Sequence, residues 1–254
     1  MFQLLTLGGF RTRIDERLVC PTIGKASQKL LVYLLLHNGQ VVSKAKIVDL
    51  FFSTADFEKA ALALNTAIWR LKKWNNTHLR HFDSKIISMR GEVAVEVGDT
   101  SFFDHDEFQR LSACDADGEI SPSQSARLLE AKKLYRGNFL EGEKDLWVLG
   151  ERDRLRRRYL YVMELLMEHF LRQGRYEAAL DLGRSILQAD PLREKVHRNM
   201  MLLYALDGQR AAALSQFDEC RDTMAKWGLA PMREIFELIE EVRKGAVGGP
   251  GQHA

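Results

Sequence analysis

The 254-residue chain is poor in cysteine and proline, with three and five respectively, and has no apolar run longer than seven residues. Each shortage excludes something. A membrane-spanning helix needs about twenty mainly apolar residues, and "LLVYLLL" at Leu30–Leu36 falls far short. Cys20, Cys114 and Cys220 are odd in number, far apart and without metal-ligand spacing. They read as free thiols in a reducing cytoplasm, which is the expected location. The opening "MFQLLTLGGF" has neither a basic n-region nor a small-residue cleavage site, so no secretory signal is expected. Phosphate-binding Gly-x-x-x-x-Gly-Lys loops, nucleophile elbows and His-x-x-x-His pairs are also missing. The chain is therefore expected not to be an enzyme and to need no cofactor or metal, a hydrolase built on scattered Asp and His being a remote alternative.

What is present describes an ordinary globular protein, 46% hydrophobic and 28% charged, long enough for two domains with separate cores. Its formal charge of +2 is unevenly spread. Residues 1–100 hold 14 Lys plus Arg against 9 Asp plus Glu, a surplus of +5, and the remainder holds 23 against 26, or −3. A surplus of this size is equally common in proteins that never meet nucleic acid. Position has to decide.

"FQLLTLGGFRTRIDERLVCP" alternates apolar and polar residues around Gly8-Gly9 and Asp15-Glu16, the pattern of short antiparallel strands. "KASQKLLVYLLLHNG" predicts a helix stopped by Asn38-Gly39. Ser43 is placed to cap "KAKIVDLFF", and Ser53, with Asp56 three residues on, to open a third helix. In that helix Phe57, Ala61, Leu64, Ile68 and Leu71 fall at spacings of four and three and predict one buried stripe. Its opposite side carries Lys59, Leu62, Thr66, Trp69, Arg70 and Lys73, with Asn65 on the flank. "KIISMRGEVAVEV" then predicts a hairpin about Arg90-Gly91, with Val93, Val95 and Val97 on the half-buried face.

The order sheet, three helices, hairpin is that of a winged helix-turn-helix, in which the third helix enters the DNA major groove and the hairpin reaches the adjacent minor groove. Arg70 and Lys73 have the reach for a guanine edge or a phosphate, Lys59 for a phosphate, and Thr66 for a base edge or backbone oxygen. Asn65 suits adenine, while Leu62 and Trp69 suit thymine methyl groups or a protein interface. Lys85 and Arg90 supply the hairpin's positive charge. A solvated basic face on an ordinary helical bundle is the plain alternative.

Beyond "VGDTSFFDHDEFQRL" and "SACDADGEISPSQS" the chain is predicted to be helical. "GRYEAALDLGRSIL" from Gly174 aligns with "GQRAAALSQFDECR" from Gly208 at an offset of 34 residues, returning Ala178, Ala179 and Leu180 as Ala212, Ala213 and Leu214. That period, with small residues at fixed places, marks tetratricopeptide-like helix pairs, which commonly bind proteins or dimerise. The five arginines of "ERDRLRRRYL" read as the solvated face of a long helix with Leu155, Tyr159 and Val162 turned inward, although such a run can also grip phosphates.

These segments resemble the SARP-type bacterial regulators, which join an OmpR-type winged helix to a bacterial transcriptional activator domain. "FQLLTLGGFRTRIDERLV" is similar to the family's opening sheet and "ALALNTAIWRLKKW" to its recognition helix. "AKKLYRGNFLEG", "LWVLGERDRLRRRYL" and the repeat-bearing segment from Gly174 are similar to its activator domain. The resemblance spans roughly residues 2–240. It implies a regulator that binds promoter direct repeats in double-stranded DNA as a homodimer and contacts RNA polymerase. The chain departs from the pattern at three places: Trp69 replaces a small or polar residue, Ala67 a frequent histidine, and Glu92-Val93-Ala94 a Gly-Tyr-Arg segment in the hairpin.

The fold expected is mainly α with a small β component. A winged helix-turn-helix over residues 1–99 precedes an all-α tetratricopeptide-like domain over 100–243 and a disordered tail over 244–254. The rival functional reading is a helical protein-protein adaptor whose winged helix no longer binds DNA.

Overall fold

The computed structural model describes residues 1–15, 17–19, 23–52, 56–79, 84–98, 101–114 and 119–247. They form two compact units, one of residues 1–110 with 134–156 and one of 111–133 with residues from 157 onward.

In the first unit Phe2–Leu5 (β1), Arg11–Ile14 (β2) and Arg17–Val19 (β3) make an antiparallel sheet in which Phe2 faces Ile14 and Thr12 faces Val19. Gly8 and Gly9 turn the chain between β1 and β2 at φ 96° and 102°, which costs a residue without Cβ little. Sequence periodicity gives no sign of a further strand, Ser101–Phe103 (β7), which lies parallel to β1 and pairs Phe2 with Ser101 and Leu4 with Phe103. The sheet runs β3-β2-β1-β7. An expected domain boundary between residues 99 and 100 therefore parts β7 from the sheet that it completes.

Asp104 follows β7 directly and opens α4 (Asp104–Ser112). Its buried carboxylate accepts hydrogen bonds from Thr6 N at 2.8 and 2.9 Å, Thr6 Oγ1 at 2.9 Å and Leu7 N at 3.0 Å. Burial pushes this carboxyl above the ordinary carboxylate range against the pull of those donors. One side chain thus anchors the end of β1 to the first turn of α4.

Three helices follow the first sheet: Lys25–Leu35 (α1), Lys44–Phe51 (α2) and Phe57–His78 (α3). The chain leaves α1 through Gly39 at φ 74°, whose N–H donates to Val95 O at 3.1 Å. A second sheet, β4-β6-β5, comprises Val42–Ser43 (β4), Glu92–Glu96 (β6) and Lys85–Met89 (β5). Its central strand is not half-buried as the alternation predicts. Ala94 is only 6% exposed, beside fully buried Val93 and Val95, because β6 is the middle strand.

Both expected helix caps need correction. Ser43 stands at the N-cap of α2 but its side chain makes no capping bond; Lys44 N instead donates to Gly91 O of the hairpin at 2.8 Å. The cap of α3 is Asp56, whose carboxylate accepts from Lys59 N at 3.1 Å. Ser53, like Cys20, lies outside the described residues.

The second unit holds α5 (Pro122–Leu134) apart from its last residue, and shares α6 (Leu146–Arg172) with the first. It continues with α7 (Tyr176–Ala189), α8 (Glu194–Leu206), α9 (Arg210–Ala225) and α10 (Arg233–Lys244). The 34-residue repeat is written into the backbone. Gly174 N donates to Leu171 O and Arg175 N to Phe170 O, and 34 residues later Gly208 N donates to Ala205 O and Gln209 N to Tyr204 O. Ala179 and Ala213 are fully buried at equivalent places. Two apolar clusters fill the unit, one around Leu166, Met167, Ala179 and Met200, the other around Ala213, Phe217, Ile235 and Ile239. Cys114 and Cys220 are buried free thiols, and burial raises that of Cys220 to about 11. Of the expected tail, Lys244 ends α10 and Val247 packs on the second cluster, whereas 248–254 lie outside the described residues.

Arg154, Arg156 and Arg157 of the arginine run are exposed as its sequence predicts, whereas Arg152 is turned to backbone carbonyls. Leu155 and Val162 are buried, and Arg152 donates to Phe139 O at 2.9 Å, Leu140 O at 2.7 Å and Glu143 O at 2.9 Å. Beside it, His105 of α4 is buried and stacked on Phe103 at 5.1 Å, with Nδ1 2.7 Å from Asp106 and Nε2 2.6 Å from Glu151 of α6. Burial lowers the His105 pKa, but the bonds to Asp106 and Glu151 outweigh it and leave it above the ordinary 6.5. Burial likewise raises Glu151, and the bonds from His105 and Arg154 overcome this to pull it from 4.5 down to about 2. The raised histidine contributes stability that is complete below pH 6.5 and lost as pH climbs through its folded value. The depressed carboxylate contributes stability present above pH 4.5 and lost toward pH 2. The stability gap between the native chain and His105→Gln, measured by urea denaturation, is therefore expected to be widest between pH 4.5 and 6.5 and to shrink at higher pH. A gap independent of pH would assign the effect to packing on Phe103 alone.

Candidate nucleic-acid interface

Helix α3 has one buried face, made by Ala60, Leu64, Ala67, Ile68, Leu71, Trp74 and Asn75. Phe57, expected at the head of this stripe, is 60% exposed. Its position around the helix axis matches Leu64, but in the first turn it is Ala60, not Phe57, that is buried. Ala67 is 4% exposed, and its carbonyl accepts from Ser27 Oγ of α1 at 3.2 Å. The small pair Ser27–Ala67 lets α1 and α3 approach closely.

The other face is bare. Lys59, Leu62, Asn65, Thr66, Trp69, Arg70 and Lys73 are all exposed, as their spacing predicts. Several are already oriented by local bonds. Lys59 Nζ lies 2.9 Å from Asp56, its partner one turn back. Thr66 Oγ1 donates to Leu62 O at 2.9 Å, so its proton is used within the helix. The Lys73 ammonium sits 5.4 Å from the centre of the Trp69 ring. Arg70 has no ionic or hydrogen-bonding partner among the described residues, and its Nη1 lies near Gly24 at the start of α1.

The hairpin is tied to this helix pair by contacts that sequence reasoning missed. Lys44 Nζ donates to Met89 O at 2.8 Å, fixing the tip of β5 to the start of α2. Asn75 Nδ2 donates to Ser84 O at 2.9 Å, and Ser84 Oγ donates back to Asn75 Oδ1 at 2.8 Å. A signal for the second was present, since Asn75 falls four residues after Leu71 on the apolar stripe, where a lone amide needs a partner. The two expected hairpin cations are not brought together. Lys85 opens β5 opposite Glu96, and Arg90 stands at the turn beside Glu92. Among the described residues no group of three or more His, Cys, Asp or Glu side chains is placed to hold a metal ion. No described helix is long and apolar enough to cross a membrane.

Comparison with known proteins adds a second line of observation. The family model of the bacterial transcriptional activator domain matches residues 103–243. Regulatory protein AfsR of Streptomyces coelicolor is 24% identical over 216 residues, 84% of this chain but 21% of its own length. Regulatory protein DnrI of Streptomyces peucetius is 25% identical over 248 residues, 93% of this chain and 90% of its own length. The chain thus spans about a fifth of AfsR and most of DnrI. The structure of Mycobacterium tuberculosis EmbR in complex with a low-affinity phosphopeptide superposes with a TM-score of 0.74 at 16% identity, over 96% of this chain and 64% of that one. The shared fold is a winged helix-turn-helix followed by a helical domain.

Replacing Asn75 with Ala leaves the buried Ser84 hydroxyl and carbonyl without their partner. Such a loss costs about 1–3 kcal/mol, to be read as a shift of the urea midpoint with an unchanged slope. No shift would remove this pair as the link between α3 and the hairpin.

Proposed function

This chain belongs to the SARP-type bacterial transcriptional regulators, which carry the bacterial transcriptional activator domain, and from that premise we propose that it is a sequence-specific DNA-binding activator. Its relatives are named as regulatory proteins, not as enzymes. The observation that carries the reading is the bare outer face of α3, with an unpaired guanidinium at Arg70 and a buried stripe beneath it. Laid in the major groove, that face presents Arg70 to a guanine edge and Asn65 to an adenine, with Lys59 and Lys73 toward phosphates. Thr66, its proton bonded to Leu62 O, accepts from a base amino group rather than donating to a phosphate.

The hairpin follows as the wing. Arg90 at its turn is the phosphate contact and Lys85 a weaker one at its base, while Glu92 beside the turn opposes the backbone charge. The helical second unit joins two copies on promoter direct repeats and contacts RNA polymerase, which places the protein in the cytoplasm.

Arg70→Ala is expected to weaken binding to a selected duplex by about 1–3 kcal/mol and to relax preference at one base pair. Lys73→Ala is expected to weaken all sequences alike, as loss of a phosphate contact does. Binding titrations of both variants against matched and mismatched duplexes check this. If neither changed affinity while circular dichroism stayed native, the adaptor reading, with exposed Leu62 and Trp69 as a protein contact, would replace it.

A further inference from the structure

We infer that α3 reads the 5-methyl groups of thymine through an apolar strip of Leu62, Thr66 and Trp69, a specificity that rests on the DNA-binding reading above. These residues and Lys73 follow one another at spacings of four, three and four, which puts them on the line of α3 directly opposite its buried stripe. What enters a groove deepest is therefore mostly carbon. Leu62 is 68% and Trp69 60% exposed, and their shared line on one helix face makes them a contiguous patch rather than scattered single residues. Thr66 adds a methyl group, and its hydroxyl proton is held by Leu62 O at 2.9 Å. Trp69 is steadied by the Lys73 ammonium 5.4 Å from its ring centre, leaving the rest of the indole surface available. The carbon surface continues toward α1 in a groove of about 380 Å³ lined by Ala26, Phe52, Leu62, Ala63 and Ala67.

The charge around the strip selects DNA over an apolar protein surface as its occupant. Lys59 stands at one end of it and Lys73 at the other, fourteen residues apart. At about 1.5 Å per residue these cations span roughly 21 Å of helix, wider than the approximately 12 Å major groove. They can meet the phosphate walls while the strip lies on the floor. On that floor thymine is the base that presents a carbon group, its C5-methyl. Asn65, three residues after Leu62, has the amide that pairs with adenine N6 and N7, so the two side chains suit the two halves of A·T pairs. The base pairs beneath the N-terminal and central turns of α3 are accordingly A·T, and the guanine contact falls to Arg70 one turn later.

The test uses the full chain and the duplex it selects from random DNA. Each thymine in the bound site is replaced in turn by uracil, which removes the methyl group and keeps the pairing. One or more substitutions under α3 are expected to weaken binding roughly fourfold, the equivalent of one buried methylene. Leu62→Ala or Trp69→Ala should bind the thymine and uracil forms equally at one of those positions. Both residues are exposed, so the variants keep the core, and circular dichroism checks that they do. Uracil duplexes bound as tightly as the parent at every position would overturn the proposal, as would penalties unchanged in both variants, with DNA binding itself intact in either case. Failure to select any duplex would instead end the DNA-binding reading, and this proposal with it.

Discussion

Between Ser27 and Ala67 two helices come close enough for a hydroxyl to reach a backbone carbonyl, and around that contact Leu64, Ile68, Leu71 and Trp74 are sealed from water. All that the outer face of α3 can do depends on this burial. Fully burying a side chain of that size stabilises by about 1.5–3 kcal/mol, so the stripe fixes the rotation of α3 about its own axis. Once the rotation is fixed, Leu62, Thr66, Trp69 and Lys73 must point away from the core. The orientation of that outer face is thus a consequence of packing on the opposite side of the same helix.

The rest of the first unit holds that helix and its hairpin in register. Lys44 gives its backbone N–H to Gly91 and its ammonium to Met89, and Asn75 closes the far end through Ser84. The opening sheet is secured by a different device, the buried carboxylate of Asp104 gathering the N–H groups of Thr6 and Leu7 at the point where β7 gives way to α4. In the second unit stability comes from repetition. Buried alanines at positions 179 and 213 let successive helices close on one another, and left-handed glycines at 174 and 208 end the helix before each of them.

Sequence periodicity was most informative where a residue's neighbours along the chain determine its environment. The bare face of α3, the turn at Arg90-Gly91 and the 34-residue repeat follow from spacing alone, because helix and hairpin geometry convert spacing into direction. It failed where the partner is distant. Nothing near Ser101–Phe103 announces a parallel pairing with β1 about a hundred residues earlier, and the roles of Asp104 and His105 depend on Thr6 and Glu151. Phe57 misled because it shares the wheel position of Leu64, whereas in the first turn of α3 it is Ala60 that is buried. Ser43 misled because a strand pairing had already placed the Gly91 carbonyl at the start of α2.

The central claim is that this surface meets the phosphate backbone of DNA, and the salt dependence of binding tests it most directly. With Lys59, Lys73, Lys85 and Arg90 as phosphate contacts, a plot of log affinity against log salt for the full chain on its selected duplex should fall with a slope of about −3 to −4 per bound chain, each contact contributing roughly −0.9. A slope near zero, with binding still saturable, would mean that no counterions are released and that the basic face of α3 is not a DNA-binding surface.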